Sequence, residues 1–249
     1  GSCKSIFEDM DSCPDVGIWV RAVLPASSGF TASPDDIESV RMSVFDQNEN
    51  LLQIYDAEYE EVVYFDYPNR DLNVVMFANV KDRSLNEKMT ISDPAIGGHR
   101  NLGKFSITQA SDFGDGVSKI ATSNAPGDIF VGERYITVAE AKPMAYQTFD
   151  IPMYRATSGV FVRVYGLTEH GPTTGGWLGP FTAVVEAELD QIDFYLNSTK
   201  SNPLSSIYYR TLTHSPAPLK DDILEFPDAT GRRYVNVLTP NPNTATRVK

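Results

Sequence analysis

The sequence predicts an all-β protein built as two tandem β-sandwich domains. Short segments in which apolar and polar side chains alternate recur roughly every ten to fifteen residues, with turn-forming residues between them. No amphipathic helix longer than about three turns is apparent. Hydrophobic residues make up 41% of the 249 residues, which is enough to fill two cores. Many short strands separated by turns are typical of sandwiches.

Predicted strands in the first half of the chain lie at residues 16–24, 40–44, 52–54, 62–67 and 72–80. The second and third form a hairpin, because the polar residues 46–50 join two alternating segments. The fourth and fifth are expected to pair with each other across a turn that begins at Pro68. Ser33 followed by Pro34 predicts one or two helical turns before the second strand.

The pattern weakens between residues 81 and 132, where turn residues are frequent and a short helix is expected at 106–113. Beyond it, strands are predicted at residues 135–139, 146–154, 160–167, 181–189, 192–196, 206–212, 223–226 and 234–238. We therefore place the domain boundary near Gly132, with one sandwich at 15–132 and the other at 133–249. The second domain is expected to end in a flexible tail. Alternation along the strands predicts which side chains fill each core: Val40, Met42, Val44, Val74, Met76 and Ala78 in the first, and Val160, Val162, Val164, Val185 and Ala187 in the second.

Residues 1–14 precede the first predicted strand and contain both cysteines, Cys3 and Cys13. Ser2-Cys3 fits the mature end of a bacterial lipoprotein, in which the N-terminal cysteine carries the lipid. Several acyl chains together give stable membrane anchoring. The segment is therefore predicted to be a lipid tether attached through Cys3. The alternative is a disulfide between the two cysteines in an oxidising compartment, and the interpretations exclude each other because a lipidated sulfur cannot pair.

The same N-terminal residues resemble a known family. Cys3, residues 5–9 (Ser-Ile-Phe-Glu-Asp) and the pair Cys13-Pro14 are similar to the mature start of the fimbrillin-associated anchor proteins, the minor fimbrial lipoproteins of Bacteroidales. The resemblance continues through residues 37–55 and 72–80 and, more loosely, through 149–167. It implies that both domains are sandwiches of transthyretin-like Greek-key topology.

Composition and motif spacing argue against nucleic-acid binding, metal binding and catalysis. The net charge is −12 and no basic stripe is present, whereas phosphate binding needs one. Asp46, Asn48 and Asn50 have the alternate spacing of a calcium loop but lack the glycine and glutamate that follow in one, so a polar turn explains them better. The histidines are far apart in sequence and have no zinc spacing. We expect no catalytic residue, no metal and no cofactor.

Trp177 is the candidate interaction residue. It lies in the glycine-rich segment 175–180, which is predicted to be an exposed loop. A tryptophan in such a loop stacks on a sugar ring or enters a protein interface. The same side chain could instead fold back and close the end of a sandwich. The sequence leaves both interpretations open and favours closure.

The resemblance implies a non-enzymatic function: a cell-surface lipoprotein that anchors a fimbria to the outer membrane and terminates its assembly. The expected partners are fimbrial stalk subunits and, through the lipid, the outer membrane. In the family, stalk subunits polymerise by strand exchange after an arginine-specific protease removes an N-terminal strand, whereas an anchor keeps that strand. Arg21 lies inside the first predicted strand, so we expect that strand to stay uncut.

An alternative function is a fimbrial tip or accessory subunit, or a stand-alone adhesin that binds host glycan or protein. The mode of attachment to a filament is also open. Residues 234–238 have the alternation of an exchanged strand, but Pro240 and Pro242 beyond them lack backbone donors. Docking by surface contacts of the C-terminal half, without exchange, is therefore favoured.

Overall fold

The computed structural model describes residues 18–25, 37–67, 70–80, 89–107, 111–112, 118–121, 127–137, 148–161, 163–165, 184–187, 189–201, 207–210, 223–225 and 234–239. The first ten strands are β1 (Ile18–Val23), β2 (Val40–Asp46), β3 (Leu51–Ala57), β4 (Val63–Phe65), β5 (Leu72–Ala78), β6 (Met89–Ser92), β7 (Lys104–Ile107), β8 (Ser111–Asp112), β9 (Ser118–Ala121) and β10 (Phe130–Ile136). The others are β11 (Thr148–Pro152), β12 (Tyr154–Arg155), β13 (Thr157–Phe161), β14 (Arg163–Tyr165), β15 (Val184–Ala187), β16 (Gln191–Asp193), β17 (Ser198–Thr199), β18 (Ile207–Arg210), β19 (Ile223–Glu225) and β20 (Tyr234–Leu238). Within the described residues, a 3-10 helix at Arg100–Leu102 is the one helical element.

The chain divides into two compact units, each made of several chain segments. The first comprises residues 1–81, 92–103 and 130–154, and the second comprises residues 82–91, 104–129 and 155–249. Gly132, near which the sequence predicts a domain boundary, lies inside β10, and β10 pairs along its whole length with β5. The consecutive division into 15–132 and 133–249 stays a prediction.

The first unit is a sandwich of a three-stranded sheet, in the order β11-β1-β4, and a five-stranded sheet, in the order β12-β10-β5-β2-β3. Its core contains buried side chains from both sheets, among them Ile18 and Phe149 from the smaller sheet and Val74 from the larger one. Side chains alternate across a strand, so each sheet turns one face toward this core. The all-β sandwich class is confirmed.

The larger sheet is organised around β5, all of whose residues are buried. β5 pairs antiparallel with β2 on one side and with β10 on the other. β2 and β3 form the predicted hairpin, with a register shift between Val44 and Phe45. Every side chain predicted for the first core is buried in it: Val40, Met42, Val44, Val74, Met76 and Ala78.

Two local predictions are wrong. β4 pairs with β1 rather than with β5, because Phe65 of β4 is buried in the smaller sheet while β5 fills the centre of the larger one. The described residues within 106–113 are strand rather than helix: β7 ends at Ile107, and β8 is Ser111–Asp112. β7 pairs with β16 and buries Phe105 and Ile107, so tertiary pairing decides its conformation. The helical turns predicted at Ser33 lie outside the described residues.

The second unit is also built from strands. Its four-stranded sheets have the orders β15-β18-β9-β8 and β17-β16-β7-β6, and two-stranded pairs join β13 to β20 and β14 to β19. Of the side chains predicted for the second core, Ala187 is buried, and Val160 and Val185 are half-buried. The side chains of Val162 and Val164 lie outside those described.

Candidate functional site

β1 is the central strand of the smaller sheet of the first unit. It pairs in parallel with β11, from Trp19 opposite Thr148 to Val23 opposite Pro152. On its other side it pairs antiparallel with β4 over Ile18–Val20. The first strand of the described chain is therefore enclosed on both sides by later segments.

The inward side chains of β1 belong to the core of the first unit. Ile18, Val20 and Ala22 are 2%, 0% and 0% exposed, and the residues between them face the other way. Full burial of a Val or Ile side chain stabilises a fold by about 1.5–3 kcal/mol. Loss of β1 would open the core of the first unit to water.

The outward face of β1 carries two cross-strand pairs. Trp19 packs against Tyr64 of β4, with the ring centroids 5.0 Å apart. Arg21 forms a two-pronged ion pair with Asp150 of β11, with Nε–Oδ1 at 2.6 Å and Nη2–Oδ2 at 3.2 Å. The hydrogen bond from Arg21 lowers the pKa of Asp150 and, reciprocally, raises that of Arg21. Because the two residues stand opposite each other, the pair favours the observed register.

The C-terminal end of β1 is held by two hydrogen bonds, one to a side chain and one between backbone groups. The N–H of Leu24 donates to the hydroxyl of Tyr59 at 3.0 Å, and the N–H of Met153 donates to the carbonyl of Val23 at 2.8 Å. Tyr59 is partly buried against the core. The end of the strand is thus fixed by the loop after β3 and by the link between β11 and β12.

No local sequence signal identifies the partners of β1. Arg21 and Asp150 are 129 residues apart, and each stands in an unremarkable alternating segment. Tyr59 occurs in an acidic stretch that reads as a turn. Only the register of the folded sheet brings these groups together.

The two site residues predicted from the sequence, Cys3 and Trp177, lie outside the described residues, so their roles stay predictions. The turn at Asp46 is described. Its Oδ1 accepts hydrogen bonds from the N–H groups of Asn48 at 2.8 Å and Asn50 at 2.9 Å, as in a polar turn. In the part of the chain that the structure describes, no cluster of three or more His, Cys, Asp or Glu side chains could hold a metal ion.

The C-terminal strand of the described chain, β20, is paired within the second unit. It lies antiparallel to β13, with Tyr234 opposite Phe161, and Leu238 is buried. The N–H of Thr239 continues the pairing by donating to the carbonyl of Ala156 at 3.0 Å. An exchange that uses β20 would first have to break these contacts.

Among the described residues, no helix is long and apolar enough to cross a membrane. The fold is a β-sandwich in which the first described strand, β1, contributes to the core of its own unit.

The chain belongs to the family of the fimbrillin-A associated anchor proteins Mfa1 and Mfa2, whose model matches residues 10–177. The family that the resemblance suggested is therefore confirmed. The family is one of fimbrial structural proteins, so the chain is not an enzyme and has a fimbrial anchor or accessory role. No curated protein matches the chain by sequence.

Several solved structures are similar to the chain. The fimbrial anchor protein Mfa2 from Porphyromonas gingivalis is 13% identical with a TM-score of 0.55, over 90% of this chain and 73% of its own. A candidate adhesin from Bacteroides thetaiotaomicron VPI-5482 is 10% identical with a TM-score of 0.59, over 94% and 73%. A candidate polysaccharide-binding protein from the same organism is 13% identical with a TM-score of 0.54, over 89% and 80%. At these identities the likeness shows the fold alone.

Proposed function

We propose that the protein is a cell-surface lipoprotein that holds a fimbria to the outer membrane and terminates its assembly. A lipid on Cys3 attaches it to the membrane, and a fimbrial stalk subunit is its partner. Family membership supports the fimbrial part of this proposal, and Ser2-Cys3 supports the lipid.

The observation that carries the proposal is the enclosed position of β1. Its ladders with β11 and β4 and its buried side chains make it part of the fold. The sequence between Arg21 and Arg41 contains no arginine, so an arginine-specific protease has no site in the connection after β1. A subunit that keeps this strand does not open the groove that the next stalk subunit would fill. A tether that precedes β1 also stays joined to the sandwich.

The test uses the native bacterium with the gene deleted and then restored as wild type, Cys3→Ala or Cys13→Ala. We expect wild type and Cys13→Ala to partition with outer membranes, to carry a lipid mass on the N-terminal peptide and to keep fimbriae attached in negative-stain micrographs. Cys3→Ala should lose all three properties. If Cys3→Ala partitions with membranes as the wild type does, the proposal that a lipid on Cys3 anchors the protein is wrong. Normal fimbriae in the deletion strain would overturn the fimbrial role itself.

The alternative is a tip, accessory or stand-alone adhesin function with a glycan or host protein as ligand. Its support is the fold shared with proteins described as candidate adhesin and candidate polysaccharide-binding protein, together with Trp177. Glycan-array binding that disappears in Trp177→Ala but persists in Trp19→Phe would favour this alternative. Absence of glycan binding in the wild type would remove a glycan as the ligand.

A further inference from the structure

Tension on an N-terminal tether reaches the described structure through β1. The predicted tether, residues 1–14, precedes β1 in the sequence, and β1 begins at Ile18. The other end of β1 lies beside the end of its parallel neighbour β11, because Val23 stands opposite Pro152. A pull on the tether therefore acts on the end of β1 that is farther from Pro152.

The chain leaves the first unit directly after β11. The last segment of the first unit ends at Tyr154, and residues 155–249 belong to the second unit. Another passage between the units, at residues 129–130, lies beside this one, because the N–H of Ala156 donates to the carbonyl of Ile129 at 2.7 Å. Force carried by the second unit therefore reaches the smaller sheet at the C-terminal end of β11.

Force between these two points loads the β1–β11 ladder in shear. The strands are parallel, so the N-terminal end of β1 and the C-terminal end of β11 lie at opposite ends of the ladder. When two strands are drawn past each other along their length, the hydrogen bonds between them share the force and must break together. When the strands are peeled apart from one end, the bonds break one at a time and at a lower force. The parallel neighbour thus gives β1 the stronger of the two arrangements.

Further contacts oppose the sliding of β1 along its neighbours. The two-pronged ion pair between Arg21 and Asp150 joins the middle of β1 to β11, with Nε–Oδ1 at 2.6 Å. An exposed ion pair contributes little to stability at equilibrium, but two directional bonds resist a displacement along the strand. At the far end, the N–H of Leu24 donates to the hydroxyl of Tyr59 at 3.0 Å, and β4 pairs with Ile18–Val20 on the other side. Sliding would break all of these contacts at once.

We propose that β1, β11 and the hydrogen bond between Leu24 and Tyr59 form a mechanical clamp that resists tension between the tether and the second unit. The inference rests on the proposed function, which supplies the load: a membrane-held subunit that retains a fimbria is pulled whenever the filament is pulled. The sequence favours docking by the C-terminal half, and residues 155–249 of that half belong to the second unit. The load then crosses the clamp.

The test stretches single molecules of the full-length chain, with Cys3→Ala and Cys13→Ala so that an introduced cysteine is the one thiol. One handle is a peptide tag at the N-terminus, and the other is Tyr154→Cys or Thr148→Cys. Tyr154 is exposed and follows β11, so this handle loads the ladder in shear. Thr148 stands opposite Trp19 at the end where the tether enters, so this handle peels the strands apart. The force needed for unfolding should be several times higher in shear than in peeling.

Two tyrosine variants separate the clamp from general stability. Tyr59→Phe removes the hydroxyl that accepts from Leu24, a bond that is loaded in shear but that peeling from Ile18 reaches last. It should shorten the lifetime of the folded chain under constant shear force by about two- to tenfold, as the loss of one hydrogen bond does. In peeling, the lifetime should change little. The matched control is Tyr135→Phe, which removes a hydroxyl hydrogen bond elsewhere on the first unit and should change neither lifetime.

The outcomes separate this inference from the function on which it rests. Equal unfolding forces in shear and in peeling would overturn the clamp, and so would a Tyr59→Phe lifetime in shear equal to that of the wild type. A lifetime shortened by the same factor in both geometries would show a general loss of stability and would also overturn it. All three results leave the anchor proposal standing, because the purified chain carries neither lipid nor fimbria. If Cys3→Ala partitions with membranes as the wild type does, the tether bears no load and the proposed role of the clamp is wrong.

Discussion

Met76→Ala should destabilise the first unit substantially. Met76 lies in the middle of β5, is 0% exposed and stands opposite Met42 of β2 and Gly132 of β10. The change removes three heavy atoms from the core. Their transfer alone accounts for about 2 kcal/mol, and the cavity they leave brings the expected loss to about 2–5 kcal/mol. Partial collapse of the flexible Met42 into the space would give the lower end of this range.

The measurement is guanidinium unfolding followed by the fluorescence of Trp19, in a Trp177→Phe background so that only the first unit reports. Trp19 is suitable because it packs against Tyr64 at the outward face of β1. Glu60→Gln is the control, since Glu60 is exposed, and it should change stability by no more than about 0.5 kcal/mol. A loss below about 1 kcal/mol in Met76→Ala, with an unchanged denaturant slope, would refute close packing around β5.

Four further predictions follow from single features of the fold. Gly132→Ala should cost about 1–3 kcal/mol, because its new Cβ would stand 2.6 Å from the carbonyl oxygen of Pro152, whereas Gly127→Ala, with open space around it, should cost little in the same denaturation assay. Asp150 has a lowered pKa, so its contribution is present above about pH 4 and is lost as the pH falls through the lowered value; Asp150→Asn should therefore flatten the acid limb of a stability–pH curve. Burial raises the pKa of Tyr55 to about 12, so stability should fall between about pH 10 and 12, and Tyr55→Phe should reduce that fall. A fragment of residues 133–249 should lack a cooperative thermal transition by circular dichroism, because β16 and β18 would lose their partners β7 and β9; a sharp transition would support the consecutive domain boundary.

Local alternation predicted the strands well but not their neighbours. The β2–β3 hairpin and the span of β20 follow from alternation and turn residues that lie close together in sequence. The pairing of β4 with β1 does not, because a short alternating segment fits any sheet with an open edge. The apolar spacing at the end of β7 fits a helix as well as a strand because the segment is so short, and the contacts that decide for a strand come from β16, far along the chain.

The candidate site was predictable only in its first element. The alternation of Ile18, Val20 and Ala22 identifies β1 as a half-buried strand, and Arg21 falls inside it. Its parallel partner β11 lies more than a hundred residues later, and no residue pattern specifies that register. The conformation of residues 93–103 is likewise not predictable from the sequence. Gly97 and Gly98 indicate a turn, but no residue pattern indicates that Arg100 is buried beside Glu133.

The position of β1 also has a consequence for the order of events during synthesis. β1 is made early, yet its parallel partner β11 ends at Pro152. Until that residue has been made, β1 has β4 as its only ladder partner among the described strands. Pairings that close such long loops form slowly. Early in the life of each molecule, the edge of β1 that later pairs with β11 is therefore open to any other extended chain.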